Sequence, residues 1–294
     1  MSAALYFYTV KPYYITDDAL KQFITAALAE DVGDGDHSSL ASIGEDAVSR
    51  AKLLVKENGT LAGVELAQHI FNHIDGRLKL AVSKNDGTTV KQGEIAFTVE
   101  GPARSILMAE RLVLNCMQRM SAIATKTKHL THLIKGTSAK ILDTRKTTPN
   151  FRLLEKWAVV IGGGHNHRIG LFDMIMLKDN HIDMAGGIEQ AIIRTKDYLR
   201  ATKRDLKIEV ETRNLAEVRE VLRVGGVNVI MLDNMSPEEI QEAVQLIGGR
   251  YQTEASGGIT EHTIRSVAEC GVDFMSVGAL THSVKSMDLS LKAF

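Results

Sequence analysis

Residues 141–181 read ILDTRKTTPNFRLLEKWAVVIGGGHNHRIGLFDMIMLKDNH, and they decide the fold class. Short apolar runs at 139–142 and 174–177 each end in charge. Between them Thr148 is expected to cap a helix, with Pro149 at its first position and Gly162 to Gly164 ending it. The order is then strand, loop, helix, loop, strand. The cations Arg145, Lys146, His167, Arg168 and Lys178 fall in loops and at strand ends, where a rigid scaffold presents ligand-binding groups. That many cations together suit an anionic ligand.

Downstream the alternation continues. Apolar strands are read at 206–210, 228–232, 250–253 and 273–277, and helical segments at 149–161, 187–199, 215–224, 237–247 and 260–270. Alternation with short connections implies parallel strands joined by right-handed crossovers. Every strand ends in polar or glycine residues: Thr144-Arg145-Lys146, Lys178-Asp179-Asn180, Glu211, Asp233-Asn234, Glu254 with Ser256-Gly257-Gly258, and Gly278. A (β/α) barrel brings such ends to one mouth, where active sites sit. A doubly wound sheet also binds ligands at strand ends but does not gather six consecutive ends into one ring, so a TIM-like barrel is expected.

In Ile208-Glu209-Val210-Glu211 the period of two puts both glutamates on one face, where a buried carboxylate must be paired or bind something. Asp233 takes the equivalent place one strand later. Carboxylates and cations around one mouth suit a substrate bearing phosphates and hydroxyls. No GxxxxGK[ST] loop is present. Ser256, Gly257, Gly258 and Gly278 follow the last two strands, where barrels hold phosphate on backbone N–H groups.

Upstream, Thr16 precedes an amphipathic helix at 17–30, which runs into EDVGDGDHSS (30–39). That loop lacks the ligand spacing of a calcium loop and is read as a capped turn. Strands are expected at 51–55, 78–82 and 95–99, with Asn58-Gly59 and Asp86-Gly87 as turns and a helix at 64–74. A long helix covers 103–135, and on it Arg111, Asn115 and Arg119 form one polar stripe. The stripe is either a solvent face or a seam toward a second subunit or a site.

The 294 residues suggest one large barrel or two domains, and 44% hydrophobic with 24% charged residues describe an ordinary globular chain. A net charge of −1 gives no global field for nucleic acid, so the basic cluster is local. Cys116 and Cys270 fit neither a disulfide framework nor a zinc spacing. MSAALYFYTVKPYY does not read as a signal peptide and no run approaches a membrane span, so no membrane partner and a cytoplasmic location are expected.

The chain resembles the quinolinate phosphoribosyltransferases (nicotinate-nucleotide pyrophosphorylases, carboxylating). The likeness is carried along the chain by EDVGDGDHSS, ERLVLNCMQRMSAIAT, the 141–181 stretch from DTRKTTPN to LKDNH, IEVET, VIMLDN, EASGGIT and DFMSVGALTHS. It implies an α/β fold: an N-terminal α/β open-sandwich domain, 1–118 joined by about 280–294, and an incomplete (β/α) barrel at 119–279. It implies quinolinate and phosphoribosyl pyrophosphate (PRPP) as substrates, and Mg2+ brought by PRPP near Glu211 and Asp233, with no directly assigned metal ligand. It implies a homodimer, or a multiple of dimers, in which Arg111 enters the partner's site. By motif position, Thr144, Arg145, His167 and Arg168 would bind quinolinate. Lys146 and Lys178 would contact pyrophosphate or substrate, Glu211 and Asp233 the ribose hydroxyls, and Ser256, Gly257, Gly258 and Gly278 the 5-phosphate.

Three positions depart from the family pattern: Ala122 for glycine, Asn150 for glycine after Thr-Thr-Pro, and His37-Ser38-Ser39 for a threonine-containing loop. Asparagine tolerates φ > 0 best among non-glycine residues, so the Asn150 turn is expected to persist. Three other chemistries share features of the pattern. They are a Schiff-base aldolase using Lys178, a metal hydrolase using His165 and His167, and a non-catalytic phosphate-binding module.

Overall fold

The computed structural model describes residues 11–294, so most of the stretch read for a leader lies outside the described residues. Helix α1 (Asp17–Val32) begins as expected at Thr16, whose side chain accepts the Ala19 N–H at 3.1 Å. The acidic glycine loop is a turn that starts a short helix, α2 (His37–Ser42), with Asp36 as its cap. Strands β1 (Val48–Val55) and β2 (Gly59–Thr60) lead to α3 (Val64–Ile74). Gly63 offers α3 no side-chain cap, and the carboxylate of Asp86 does so instead, accepting the Val64 and Glu65 N–H groups at 2.9 and 3.1 Å. Strands β3 (Lys79–Val82), β4 (Thr89–Val90) and β5 (Ile95–Pro102) precede the long helix α4 (Ala103–Leu133).

The alternating half follows: β6 (Lys140–Leu142), α5 (Arg152–Ile161), β7 (Ile175–Leu177), α6 (Asp179–Ala185), α7 (Ile188–Thr202), β8 (Ile208–Thr212), α8 (Leu215–Val224), β9 (Val229–Asp233), α9 (Pro237–Ile247), β10 (Gln252–Ser256), α10 (Ile264–Glu269), β11 (Phe274–Ser276), α11 (Ala279–His282) and β12 (Leu289–Ala293). Strands β6 to β11 form one parallel sheet in the order β6-β11-β10-β9-β8-β7. A further isolated parallel bridge pairs Leu142 of β6 with His165. The other main sheet is antiparallel, β12-β1-β5-β3, so the chain's last strand joins the N-terminal half.

Two compact units result. The first runs to Lys128 and also takes Thr147–Gly163 and Ser283–Phe294; the second is His129–Lys146 with Gly164–His282. The expected boundary at 118/119 falls inside α4, which is continuous through it, and α5 belongs to the first unit although it lies between two strands of the second.

One local expectation is corrected. Thr148 and Pro149 do not start α5, which begins at Arg152 with Phe151 as N-cap. Buried Glu155 is the reason: it accepts the Thr148 N–H at 3.1 Å and the Thr148 hydroxyl at 2.9 Å, so Thr148 serves Glu155 rather than the helix end. Asn150 turns the chain between them with φ 61°, the left-handed conformation that the glycine of the family pattern would supply.

Candidate active site

Because β6 to β11 are parallel and hydrogen-bonded in one sheet, their C-terminal ends share one edge. Thr144, Arg145, Lys146, Lys178, Glu211, Asp233, Ser256 and Gly278 are all placed there by this topology. Register sharpens it: Asp233 pairs with Ser256, which sets a carboxylate against the glycine loop.

Lys178 is the N-cap of α6, and its Nζ donates to Glu211 Oε2 at 2.9 Å. The Asp179 N–H reaches the other oxygen of Glu211 at 3.4 Å. Glu211 is nearly buried while Lys178 is half exposed, so the carboxylate anchors a lysine that still faces solvent. A carboxylate partner differs from both settings that activate a Schiff-base lysine, an apolar pocket or a neighbouring cation.

Lys146 is fixed through its backbone. Its N–H donates to Thr144 Oγ1 at 3.0 Å, and its carbonyl accepts the Thr281 hydroxyl at 2.8 Å. Gly278 leaves room for its stem, since a Cβ there would lie 3.1 Å from Lys146 Cδ. Gly257 has φ 88°, and a Cβ on it would overlap the side-chain oxygen of Asn234. Asn234 Nδ2 donates to Asp233 Oδ2 at 2.6 Å, so the glycine loop, Asn234 and Asp233 form one packed corner.

Burial holds the Arg168 guanidinium below its ordinary pKa, and the neighbouring charge of Arg145 adds to the effect. Two crowded guanidiniums with partial burial make a place where an anion is stabilised. Arg168 Nη1 donates to the Met174 carbonyl at 3.2 Å. Its position is set from behind: Asp143, fully buried, accepts the His167 N–H at 2.9 Å and Asn166 Nδ2 at 2.6 Å.

His167 is turned away from a free role. Its Nδ1 accepts the Arg168 N–H at 2.7 Å, and Nε2 lies 3.0 Å from Glu209 and 3.4 Å from Glu254. Burial opposes charging the ring, but the bonds to Glu209 and Glu254 raise its pKa to about 9. Burial pushes Glu209 up to about 7, and the charge of Glu254 pushes the same way. His165 does not join His167 in a metal set; among the described residues, His167 groups with Glu209 and Glu254.

Arg111 belongs to the first unit. It lines a cleft of about 680 Å³ there with Asn115, Arg119, Phe23, Glu30 and Phe151. Arg111 and Asn115 are exposed on this stripe, while Arg119 is part-buried. Asp143 and the pairing of Glu209 with Glu254 were not assigned roles from sequence. The signal for Asp143 was its place at the end of an apolar strand. For Glu254 it was the strand end itself, which lies further along than 250–253 suggested.

Residues 36–121 match the N-terminal domain model of quinolinate phosphoribosyl transferase, and 123–292 match its C-terminal domain model. The chain belongs to the quinolinate phosphoribosyltransferase family. A decarboxylating quinolinate phosphoribosyltransferase of Nicotiana tabacum is 48% identical over 97% of this chain and 85% of its own. A probable carboxylating nicotinate-nucleotide pyrophosphorylase of Bacillus subtilis is 40% identical over 92% of each chain. The crystal structure of NadC from Streptococcus pyogenes superposes with a TM-score of 0.89 at 40% identity, covering 95% of this chain and 97% of that one. A relative from Arabidopsis thaliana is named chloroplastic, so family members are not confined to the cytoplasm. In this chain no helix among the described residues is long and apolar enough to cross a membrane.

Proposed function

We propose that this chain transfers the phosphoribosyl group of PRPP to quinolinate with decarboxylation, forming nicotinate mononucleotide, CO2 and pyrophosphate in NAD biosynthesis. The pyridine nitrogen displaces pyrophosphate at the ribose anomeric carbon, the 2-carboxylate leaves as CO2, and the electron pair left on C2 takes up a proton from water. The observation that carries this assignment is the strand-end edge, where Lys178 sits on Glu211 and Asn234 joins Asp233 to the Gly257 loop. A dianionic pyridine dicarboxylate fits paired guanidiniums, and charge-assisted bonds contribute roughly 1.5–3 kcal/mol each.

Lys146 and Lys178 take up the charge of the departing pyrophosphate. Glu211 and Asp233 hold ribose hydroxyls and face the positive charge that grows at the anomeric carbon. Ser256, Gly257, Gly258 and Gly278 receive the 5-phosphate, and Thr144 lines the quinolinate side. His167 supports Arg168, because both of its ring nitrogens are already engaged. Mg2+ suits this donor set of oxygens, but both oxygens of Glu211 are occupied by Lys178 and Asp179. The ion is therefore expected on PRPP, near Glu211 and Asp233, where it offsets pyrophosphate charge. The six-stranded sheet is read as the incomplete barrel and the first unit as the open sandwich. In the homodimer Arg111 enters the partner's site.

Isothermal titration tests the carboxylate assignment. Arg145→Lys and Arg168→Lys should each weaken quinolinate sharply and PRPP much less, since lysine lacks the planar fork. An unchanged quinolinate affinity would remove both arginines from the site.

A further inference from the structure

Behind Arg168, one ring nitrogen of His167 and one oxygen each of Glu209 and Glu254 lie within 4.8 Å of one another. The two glutamate side chains are only 1% and 2% exposed. Each keeps one oxygen, Oε1, with no hydrogen-bond donor. All three residues line a cavity of about 230 Å³ that extends to Lys207, Gln252 and Phe274 at the N-terminal ends of their strands. Two buried carboxylates this close cannot both stay ionised without a neutralising partner. The partner is either a divalent cation or a proton.

The ring of His167 decides between them. Its Nδ1 accepts the Arg168 N–H at 2.7 Å, so that nitrogen carries no proton and the neutral ring keeps its proton on Nε2, facing the glutamates. A metal ion on Nε2 would force the ring proton onto Nδ1, against the Arg168 N–H. Metal-ligating histidines almost always donate through their second nitrogen, and this one accepts. A proton shared by the carboxyls leaves every observed bond in place.

We propose that Glu209 and Glu254 hold one proton between them and, as an acid–carboxylate pair, fix His167 as its neutral Nε2–H tautomer, so that the pair acts as a positioning unit for Arg168. The ring takes the Arg168 N–H while Asp143 takes the His167 N–H, and the two peptide groups ahead of the Arg168 side chain are thereby locked. A neutral ring with one glutamic acid holds the same number of protons as an imidazolium between two carboxylates. The elevated proton affinities of His167 and Glu209 therefore belong to the set rather than to either member. Arg168, Arg145, Asp143, Lys207 and His165 are the other charged or titratable groups around it.

The positioning role rests on the reading that Arg168 binds quinolinate, so the test has two readouts. In the first, nitrogen NMR of the folded protein with 15N-labelled histidine, assigned with His167→Asn, reads the tautomer. The expected result near pH 7 is a neutral ring protonated on Nε2, kept in Glu209→Gln and in Glu254→Gln, because glutamine mimics the protonated acid. An imidazolium signal, or stoichiometric zinc that shifts the His167 resonances, would overturn the proposal. In the second, Glu209→Gln should hold the quinolinate KM within about threefold, while Glu209→Ala raises it about tenfold or more with the PRPP KM little changed. Equal effects of the two variants, with the fold intact by circular dichroism, would remove the positioning role. Should Arg168→Lys leave quinolinate binding unchanged, the site reading fails and the tautomer result stands on its own.

Discussion

Arg119 reaches Glu155 with Nε and Nη2 at 2.9 Å, and Glu155 is completely buried. The same carboxylate holds the turn before α5 through Thr148. Removing the guanidinium leaves a buried charge with too few partners. Arg119→Met is expected to cost about 3 kcal/mol, within the range for breaking a buried pair from one side. Urea denaturation with an unchanged m-value checks it. A loss under about 1 kcal/mol would mean that the pair is effectively solvated.

The parallel half was legible because it obeys a simple period. β8 carries the period of two read in IEVET, and α8 falls on 215–224 as read. Most of the strand-end residues were legible for the same reason. The start of α5 was not. Thr148-Pro149 looks like a helix start locally, but a buried carboxylate seven residues on captures Thr148, and no window of sequence shows burial. The tautomer of His167 was hidden for a similar reason, since it depends on an N–H of the next residue and on two strands far along the chain.

The buried triad makes stability depend on pH. Folding raises Glu209 from 4.5 to about 7, chiefly by burial, and raises His167 from 6.5 to about 9, where burial opposes and the glutamate bonds prevail. Both groups bind protons more tightly in the folded chain. As a set sharing one proton, they contribute stability that is fully present below the unfolded values and is lost as pH rises through the window from about 7 to about 9. The wild-type melting temperature should fall across this window more steeply than that of Glu209→Gln. Parallel slopes for the two proteins would show that the triad does not titrate there.

At Gly257 the loop has φ 88° and no room for a Cβ beside Asn234. Gly257→Ala should therefore displace Asn234 and, through it, Asp233. Gly258 also has a positive φ, but a Cβ there meets nothing within 4 Å. PRPP affinity should fall at least tenfold in Gly257→Ala and less in Gly258→Ala, with quinolinate affinity nearly unchanged in both. Calorimetry with each ligand separates the cases. Equal loss of both ligands in a folded Gly257→Ala protein would make the loop purely structural.

Arg111 lies on α4 in the first unit, while the strand-end cluster belongs to the second. If Arg111 serves the partner's site, two inactive variants, Arg111→Ala and Lys178→Ala, complement each other. A mixed dimer then carries one site with both defects and one with neither. Random reassortment makes about half of all dimers mixed, and each has one intact site of two, so activity recovers to roughly a quarter of wild type for a two-fold dimer. The variants are dissociated, mixed and reassociated, and a tagged pull-down confirms that subunits have exchanged. Exchange without recovered activity would place Arg111 in the site of its own chain.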